Sequence, residues 1–328
     1  FSDEYLRGII SVPLARVPKY NPDRTVSEKG RVISDATFPN VPTVLDTMAD
    51  TDPYSAAIGD INADGMIDVV YTAFWGDFVG VFLGTGTGTF AASSDDLTSS
   101  LGGIYSIVSP RQVAVHDMDA DGFDDIIYVC SDTHMVVILP GRSDIDSVLA
   151  TSAAVVDYLA DGVFNFAVGD LDQDGDLDIV ASITEDSVIR VYYNLGSMLF
   201  TQPATIGAAH MLPYTIALGD VSGDGWLDIV YVASGSDLVG WIPAEVGGTF
   251  VLPPQKMSAL TAPHGAVVGD FDGDGQVDAG AVSESTGEVV YYTFSASASP
   301  LTAMPRIVTA TTEGAQAVDV VDFNNDGF

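Results

Sequence analysis

Oxygen-bearing side chains, mostly aspartates, spaced two apart, then a glycine, then one more aspartate: this pattern occurs five times complete along the chain and a sixth time without its last aspartate. The copies read DINADGMID (60–68), DMDADGFDD (117–125), DLDQDGDLD (170–178), DVSGDGWLD (220–228), DFDGDGQVD (270–278) and DFNNDGF (322–328). Counting from the first aspartate, positions 1, 3, 5 and 9 carry Asp60, Asn62, Asp64 and Asp68; Asp117, Asp119, Asp121 and Asp125; Asp170, Asp172, Asp174 and Asp178. The remaining copies carry Asp220, Ser222, Asp224 and Asp228; Asp270, Asp272, Asp274 and Asp278; and Asp322, Asn324 and Asp326. Carboxylates crowded into so short a loop repel one another unless a cation lies between them. Calcium is a hard cation that takes six to eight oxygens, and a short loop supplies them when alternate residues turn inward. These side chains are therefore the predicted calcium ligands, about one ion per repeat. The position 7 carbonyls of Met66, Phe123, Asp176, Trp226 and Gln276 are expected as further donors.

Position 6 is glycine in every copy: Gly65, Gly122, Gly175, Gly225, Gly275 and Gly327. A glycine repeated at one place marks a backbone angle that a side chain disfavours. An EF-hand loop begins in the same way but closes with a bidentate Glu at position 12. Here position 12 is Tyr71, Tyr128, Ala181, Tyr231 or Ala281, so that reading fails.

The elements that must hold these loops are strands. Short apolar runs such as AAIGD and IALGD enter the loops, and β-branched runs such as DIIYVC and LDIVYVA leave them. A third run follows after a polar turn, as in FVGVFLG, VIRVYYN and EVVYYTF, and a weaker fourth segment leads to the next copy. None reaches the helical minimum of about 10 residues. The first aspartates are spaced 57, 53, 50, 50 and 52 residues apart. Four strands in about 50 residues match one blade of a β-propeller.

These loops, together with GTGTGTF (84–90) and GGTF (247–250) after the third strand, resemble FG-GAP or VCBS repeats, as found in the head of integrin alpha subunits. The resemblance covers residues 51–328. It implies an all-β propeller of four-stranded blades, seven when complete, with calcium in the loop joining strands one and two. It also implies an extracellular or cell-surface setting, where calcium near millimolar fills such loops.

Composition sets bounds. The chain has 328 residues, 47% of them hydrophobic, enough for a large core. No apolar stretch approaches the ~18 residues of a membrane span, so membrane insertion is not expected. One cysteine, Cys130, excludes an intramolecular disulfide and leaves calcium as the expected staple. The net charge is −35, and six bound calcium ions would leave it at −23, so nucleic acid is a poor partner. Basic residues gather at one end: Arg7, Arg16, Lys19, Arg24, Lys29 and Arg31 are six of the 11. Residues 1–37 read as a basic arm able to lie on an acidic propeller surface, its own or a neighbour's, which makes a homopolymer a candidate assembly. Residues 38–50 read as an outer strand closing the blade that the chain's end leaves unfinished.

A ligand is expected on the face opposite the calcium loops. Residues entering strand one, seven to five positions before each first aspartate, would ring the central channel: Tyr54, Arg111, Phe164, Asn165, Tyr214, His264 and Gln316. The turns between strands two and three add Trp75 and His134. Aromatics with scattered polar groups suit a glycan or a protein loop. No Gly-x-Ser-x-Gly elbow, phosphate loop or Cys/His pairing is present, and the four histidines lack metal-ligand spacing. The preferred expectation is a noncatalytic adhesion, ligand-binding or assembly module. The alternative is a calcium-stabilised polysaccharide lyase using His264, Tyr214 and Arg111 on a uronate polymer, an expectation drawn from fold analogy.

Overall fold

The computed structural model describes residues 53–86, 89–92, 108–142, 154–158, 162–207, 212–294, 304–310 and 316–318. The basic arm, the strand expected at 38–50 and the sixth loop from Asp322 lie outside them.

Five antiparallel four-stranded sheets follow one another. The first contains β1 (Pro53–Gly59), β2 (Asp68–Ala73), β3 (Phe78–Gly84) and β4 (Phe90–Ala92) in simple meander order. The second contains β5 (Pro110–His116), β6 (Asp125–Cys130), β7 (Met135–Leu139) and β8 (Ala154–Tyr158). The third is β9 (Val163–Gly169), β10 (Asp178–Ile183), β11 (Val188–Tyr192) and β12 (Ala204–Gly207). The fourth is β13 (Pro213–Gly219), β14 (Asp228–Ala233), β15 (Leu238–Ile242) and β18 (Gln255–Ala259). Between its last two strands sits a small hairpin of β16 (Ala244–Glu245) and β17 (Thr249–Phe250). The fifth is β19 (Pro263–Gly269), β20 (Asp278–Ser283), β21 (Glu288–Thr293) and β22 (Met304–Ala310).

The first strands of successive sheets lie side by side, β1 by β5, β5 by β9, β9 by β13 and β13 by β19. That places strand one innermost and strand four outermost, the layout of propeller blades. Because each blade is packed on both faces, its second strand cannot alternate apolar with polar. Accordingly β6, β10, β14 and β20 are buried along their whole length, which is why they read as continuous apolar runs.

The core is a series of interblade layers. Ile126, Tyr128 and Val137 of the second blade pack with Val70 and Val81 of the first. Phe166, Ile179 and Tyr192 of the third join Ile127 and Val136 of the second. Equivalent layers join the third blade to the fourth and the fourth to the fifth. Each fully buried aliphatic side chain contributes roughly 1.5–3 kcal/mol. Separating two blades would therefore expose a continuous apolar layer. Glycine serves this packing at two places: Gly80 lies opposite Tyr71 and Gly240 opposite Tyr231. A Cβ there would meet the facing ring at 2.4 and 2.6 Å, so the tyrosines fit only over bare backbone.

Candidate metal centres and the channel face

Each acidic loop closes the hairpin between strands one and two. The residue before position 1 pairs in register with the position 9 aspartate in all five blades: Gly59 with Asp68, His116 with Asp125, Gly169 with Asp178, Gly219 with Asp228 and Gly269 with Asp278. Within the loop, the N–H of the position 6 glycine donates to the position 1 carboxylate at 2.8–3.2 Å in every described copy. Those glycines have φ between 81° and 97°, and a Cβ on any of them would meet nothing within 4 Å. Backbone conformation, not space, selects glycine here. The position 5 carboxylate accepts the N–H of position 7, as Asp121 does from Phe123 at 2.9 Å. The same bond runs from Met66, Asp176, Trp226 and Gln276 to their position 5 aspartates.

Three loops bring carboxylates to one point. Oxygens of Asp117, Asp119 and Asp125, of Asp170, Asp172 and Asp178, and of Asp270, Asp272 and Asp278 each lie within 4.8 Å of one another. These are positions 1, 3 and 9 of the loops with four aspartates. The position 5 residues stand outside these triads. In the first loop Asn62 replaces an acid at position 3, and its amide donates to Asp64 at 3.1 Å. In the fourth, Ser222 occupies position 3 and reaches Asp220 at 3.4 Å. The donors are all oxygen, which suits a hard cation. Asp170 offers more: its Oδ1 is buried without a hydrogen-bond partner while Oδ2 receives the Gly175 N–H. Such an orphaned oxygen fits a metal site.

The position 9 aspartates have a second task that spacing alone does not reveal. Asp125 accepts the N–H of Met118 at 2.7 Å with one oxygen and that of Gly141 at 2.8 Å with the other. Asp68, Asp178, Asp228 and Asp278 do the same, each reaching the residue 16 positions on, just past strand three or at its end. One buried carboxylate thus ties the loop, strand two and the exit of strand three. Burial pushes Asp68, Asp178 and Asp228 up to about 6 and Asp125 up to about 7, while the backbone N–H bonds oppose the rise and the other loop carboxylates add to it. Position 4 was also missed: Ala63, Ala120 and Gln173 adopt φ of 53–60°, and glycine stands there in the fourth and fifth loops.

The opposite end of strand one, six residues or about 20 Å away, carries a second cluster. In every described blade the register of strand one slips at the residue six before the loop, the place of Tyr54, Arg111, Phe164, Tyr214 and His264. A bulge re-aims its side chain out of the sheet's alternation. The five side chains form a continuous ribbon across the blades. The Arg111 guanidinium carbon lies 5.4 Å from the Tyr54 ring centre, 5.0 Å from Phe74 and 4.6 Å from Phe164. Phe164 stacks on Tyr214 at 4.3 Å, and His264 meets both edge-on. Trp75, 71% exposed, extends the ribbon through Phe74. At the other end His264 Nδ1 lies 2.8 Å from the Gln316 carbonyl, and the Gln316 amide donates to Glu284.

Two expected members stand apart. His134 accepts the Gly162 N–H through Nδ1 and so helps fasten the next blade. Asn165 receives the Ile216 N–H at 2.9 Å. Gln112 does the same for Phe166 at 2.7 Å, and Ser55 for Val113 at 3.4 Å. The residue five before the loop is thus a stitch between inner strands. An open hollow lined by Asp224, Trp226, Glu245 and Val246 lies beside the fourth acidic loop, away from the ribbon.

The family model of the FG-GAP-like repeat matches residues 60–128, 170–231 and 220–281, more than half of the chain. No curated protein matches the sequence. Similar solved structures include an Agrocybe aegerita lectin described for specific recognition of non-reducing terminal N-acetylglucosamine, with TM-score 0.55 and 19% identity over 78% of this chain. The chain spans 66% of that lectin's length. Virginiamycin B lyase from Staphylococcus aureus is similar at TM-score 0.53 and 12% identity, covering 82% of this chain and 74% of the lyase. Hydrazine synthase from Kuenenia stuttgartiensis is similar at TM-score 0.52 and 11% identity, covering 81% and 70%. At these identities the likeness speaks for the fold.

Proposed function

The chain belongs to the FG-GAP-like repeat family, and on that footing we propose that it is a calcium-stabilised, noncatalytic binding or assembly module working outside the cell. The observation that carries the metal reading is the convergence of three carboxylates in each of three separate blades. Calcium would be held by positions 1, 3 and 9, with position 5 and the position 7 carbonyl near enough in sequence to complete an oxygen shell. Bound there, it supplies charge neutralisation and a fixed loop; a ligand that binds only the folded state stabilises it by mass action. Multi-site loops of this kind fill where calcium is near millimolar, which favours the extracellular setting.

The fold does not choose between binding and catalysis, since its neighbours include a lectin and two enzymes. The channel ribbon favours binding, because most of its groups are engaged with one another: Tyr214 lies flat on Phe164 and His264 meets the Gln316 carbonyl. A uronate lyase is the second reading, favoured by His264 beside Tyr214, with Arg111 one ring away across Phe164. A protein or glycan on this face, and self-assembly through the basic arm, complete the proposal.

Thermal unfolding of the whole chain with calcium, with magnesium and after exhaustive chelation tests the metal reading. Calcium should raise the transition by many degrees over the chelated protein, magnesium by less. An unchanged melt would sink it. Release of unsaturated product from uronate polymers, abolished by His264→Ala, would replace the binding module with the lyase.

A further inference from the structure

Arg111 is an anomaly in so acidic a chain. Among the described residues no carboxylate pairs with its guanidinium, whose one hydrogen bond there runs from Nη1 to the Tyr54 hydroxyl at 3.2 Å. Its Nε is buried without a partner. Arg190, by contrast, lies 3.7 Å from Asp186. A guanidinium has five N–H donors in a planar fork that matches a carboxylate. Here the guanidinium lies among three rings and the backbone is pinned, where Thr72 donates its hydroxyl to the Arg111 carbonyl at 2.5 Å. Ser182 holds the Tyr214 carbonyl in the same way, and Thr215 that of His264. The ribbon is preorganised, so little ordering remains to oppose binding.

We propose that Arg111 is the anchor of an acidic-sugar subsite. The sugar's carboxylate pairs with the guanidinium, and the apolar face of its pyranose ring lies on the neighbouring aromatic surface of Tyr54, Phe74 and Trp75. This rests on the binding-module reading and names its ligand class. Tyr54 and Trp75 are 39% and 71% exposed, so part of this aromatic cluster is open to solvent beside the cation. A peptide strand is disfavoured here, because the inner-strand N–H groups of Val113, Phe166 and Ile216 already serve the side chains of Ser55, Gln112 and Asn165. A nucleic acid would bring phosphates to a chain of net charge −35. A small acidic sugar brings one carboxylate per ring to a local cation.

The test is calorimetric titration of the calcium-loaded chain with trigalacturonate, with neutral galactotriose and with an Asp-rich peptide. Trigalacturonate should bind, galactotriose should not, and Arg111→Gln should weaken the trigalacturonate at least about tenfold, the usual worth of a charge-assisted pair. Arg111→Lys guards against a folding defect: it keeps the charge, loses the fork, and should give an intermediate affinity at an unchanged melt. No trigalacturonate binding by a chain that still melts higher with calcium would overturn the subsite and leave the calcium reading standing. Equal binding of galactotriose, indifference to Arg111→Gln, or Arg111-dependent binding of the peptide alone would each overturn it too.

Discussion

Gln173, at position 4 of the third acidic loop, donates its side-chain amide to the backbone carbonyl of Gly225 in the fourth loop at 2.6 Å. A second tie runs between the same blades, from the Tyr193 hydroxyl to the Gly248 carbonyl at 2.6 Å. The first two loops are joined as well, where Asp124 accepts the Asp60 N–H at 2.8 Å. Neighbouring loops are thus not independent: ordering of one loop, as a bound cation would impose, fixes a partner group in the next.

Calcium binding to the third and fourth loops should therefore be cooperative, and Gln173→Ala should reduce that coupling. Alanine already takes the left-handed conformation at position 4 in Ala63 and Ala120, so the variant tests the amide and not the backbone. Titration calorimetry is the measurement. Cooperativity unaltered in Gln173→Ala would show that this hydrogen bond transmits nothing.

Gly240→Ala should destabilise the chain by about 1–3 kcal/mol through overpacking. The added methyl would sit 2.6 Å from a ring carbon of Tyr231, which is fully buried and cannot swing away. Gly65→Ala is the control with opposite cause: φ of 81° strains any side chain there, but nothing crowds it. Its cost should be of order 1–2 kcal/mol. Denaturant unfolding measures both, and the double variant Gly240→Ala, Tyr231→Ala should recover part of the close-contact penalty only.

The loops, the strand runs and the blade period were legible in the sequence because each is local: nine residues around one turn, six along one strand. The ribbon was legible by repetition, since one offset from each loop picks out Tyr54, Arg111, Phe164, Tyr214 and His264. What lay hidden depends on approach between chain segments far apart in sequence. Nothing near Asn165 signals that its amide carbonyl meets Ile216, 51 residues on, in place of a ligand. Nothing near Asp178 signals Asn194, whose own amide donates to Met118 in the previous blade. At position 5 the hidden feature is a tie within the loop: one carboxylate oxygen accepts the position 7 N–H, which alternation along the sequence does not signal.

Acidity should act on the metal-free and metal-loaded chains in opposite directions. Burial, chiefly, raises Asp68, Asp178 and Asp228 from 3.8 to about 6 and Asp125 to about 7. Between those values the folded chain holds protons that the unfolded chain has lost, so without metal its stability falls as pH rises through that window. Metal competes with the same protons, so its affinity rises over the same window. Melts at about pH 5 and about pH 7.5 should rank the metal-free protein higher at the lower pH, and calcium should widen its stabilisation at the higher one. A metal-free chain more stable at the higher pH would contradict this.

Position 3 and position 9 aspartates should separate metal binding from folding within one loop. Asp172 accepts a long hydrogen bond from the Asp174 N–H at 3.3 Å, so Asp172→Ala removes a candidate metal donor at little structural cost. Asp178 accepts the Leu171 N–H at 2.9 Å and the Asn194 N–H at 2.8 Å while fully buried. Asp178→Ala strands both donors, each at about 1–3 kcal/mol. In metal-free buffer Asp172→Ala should melt like the parent, relieved of a neighbouring charge, whereas Asp178→Ala should melt well below it. With calcium both should lose part of the metal's stabilisation. Asp178→Asn keeps one carbonyl acceptor and should fall between. If the metal-free melts of Asp172→Ala and Asp178→Ala coincide, the position 9 carboxylate serves the ion alone and its tie between loop and strand three contributes nothing measurable.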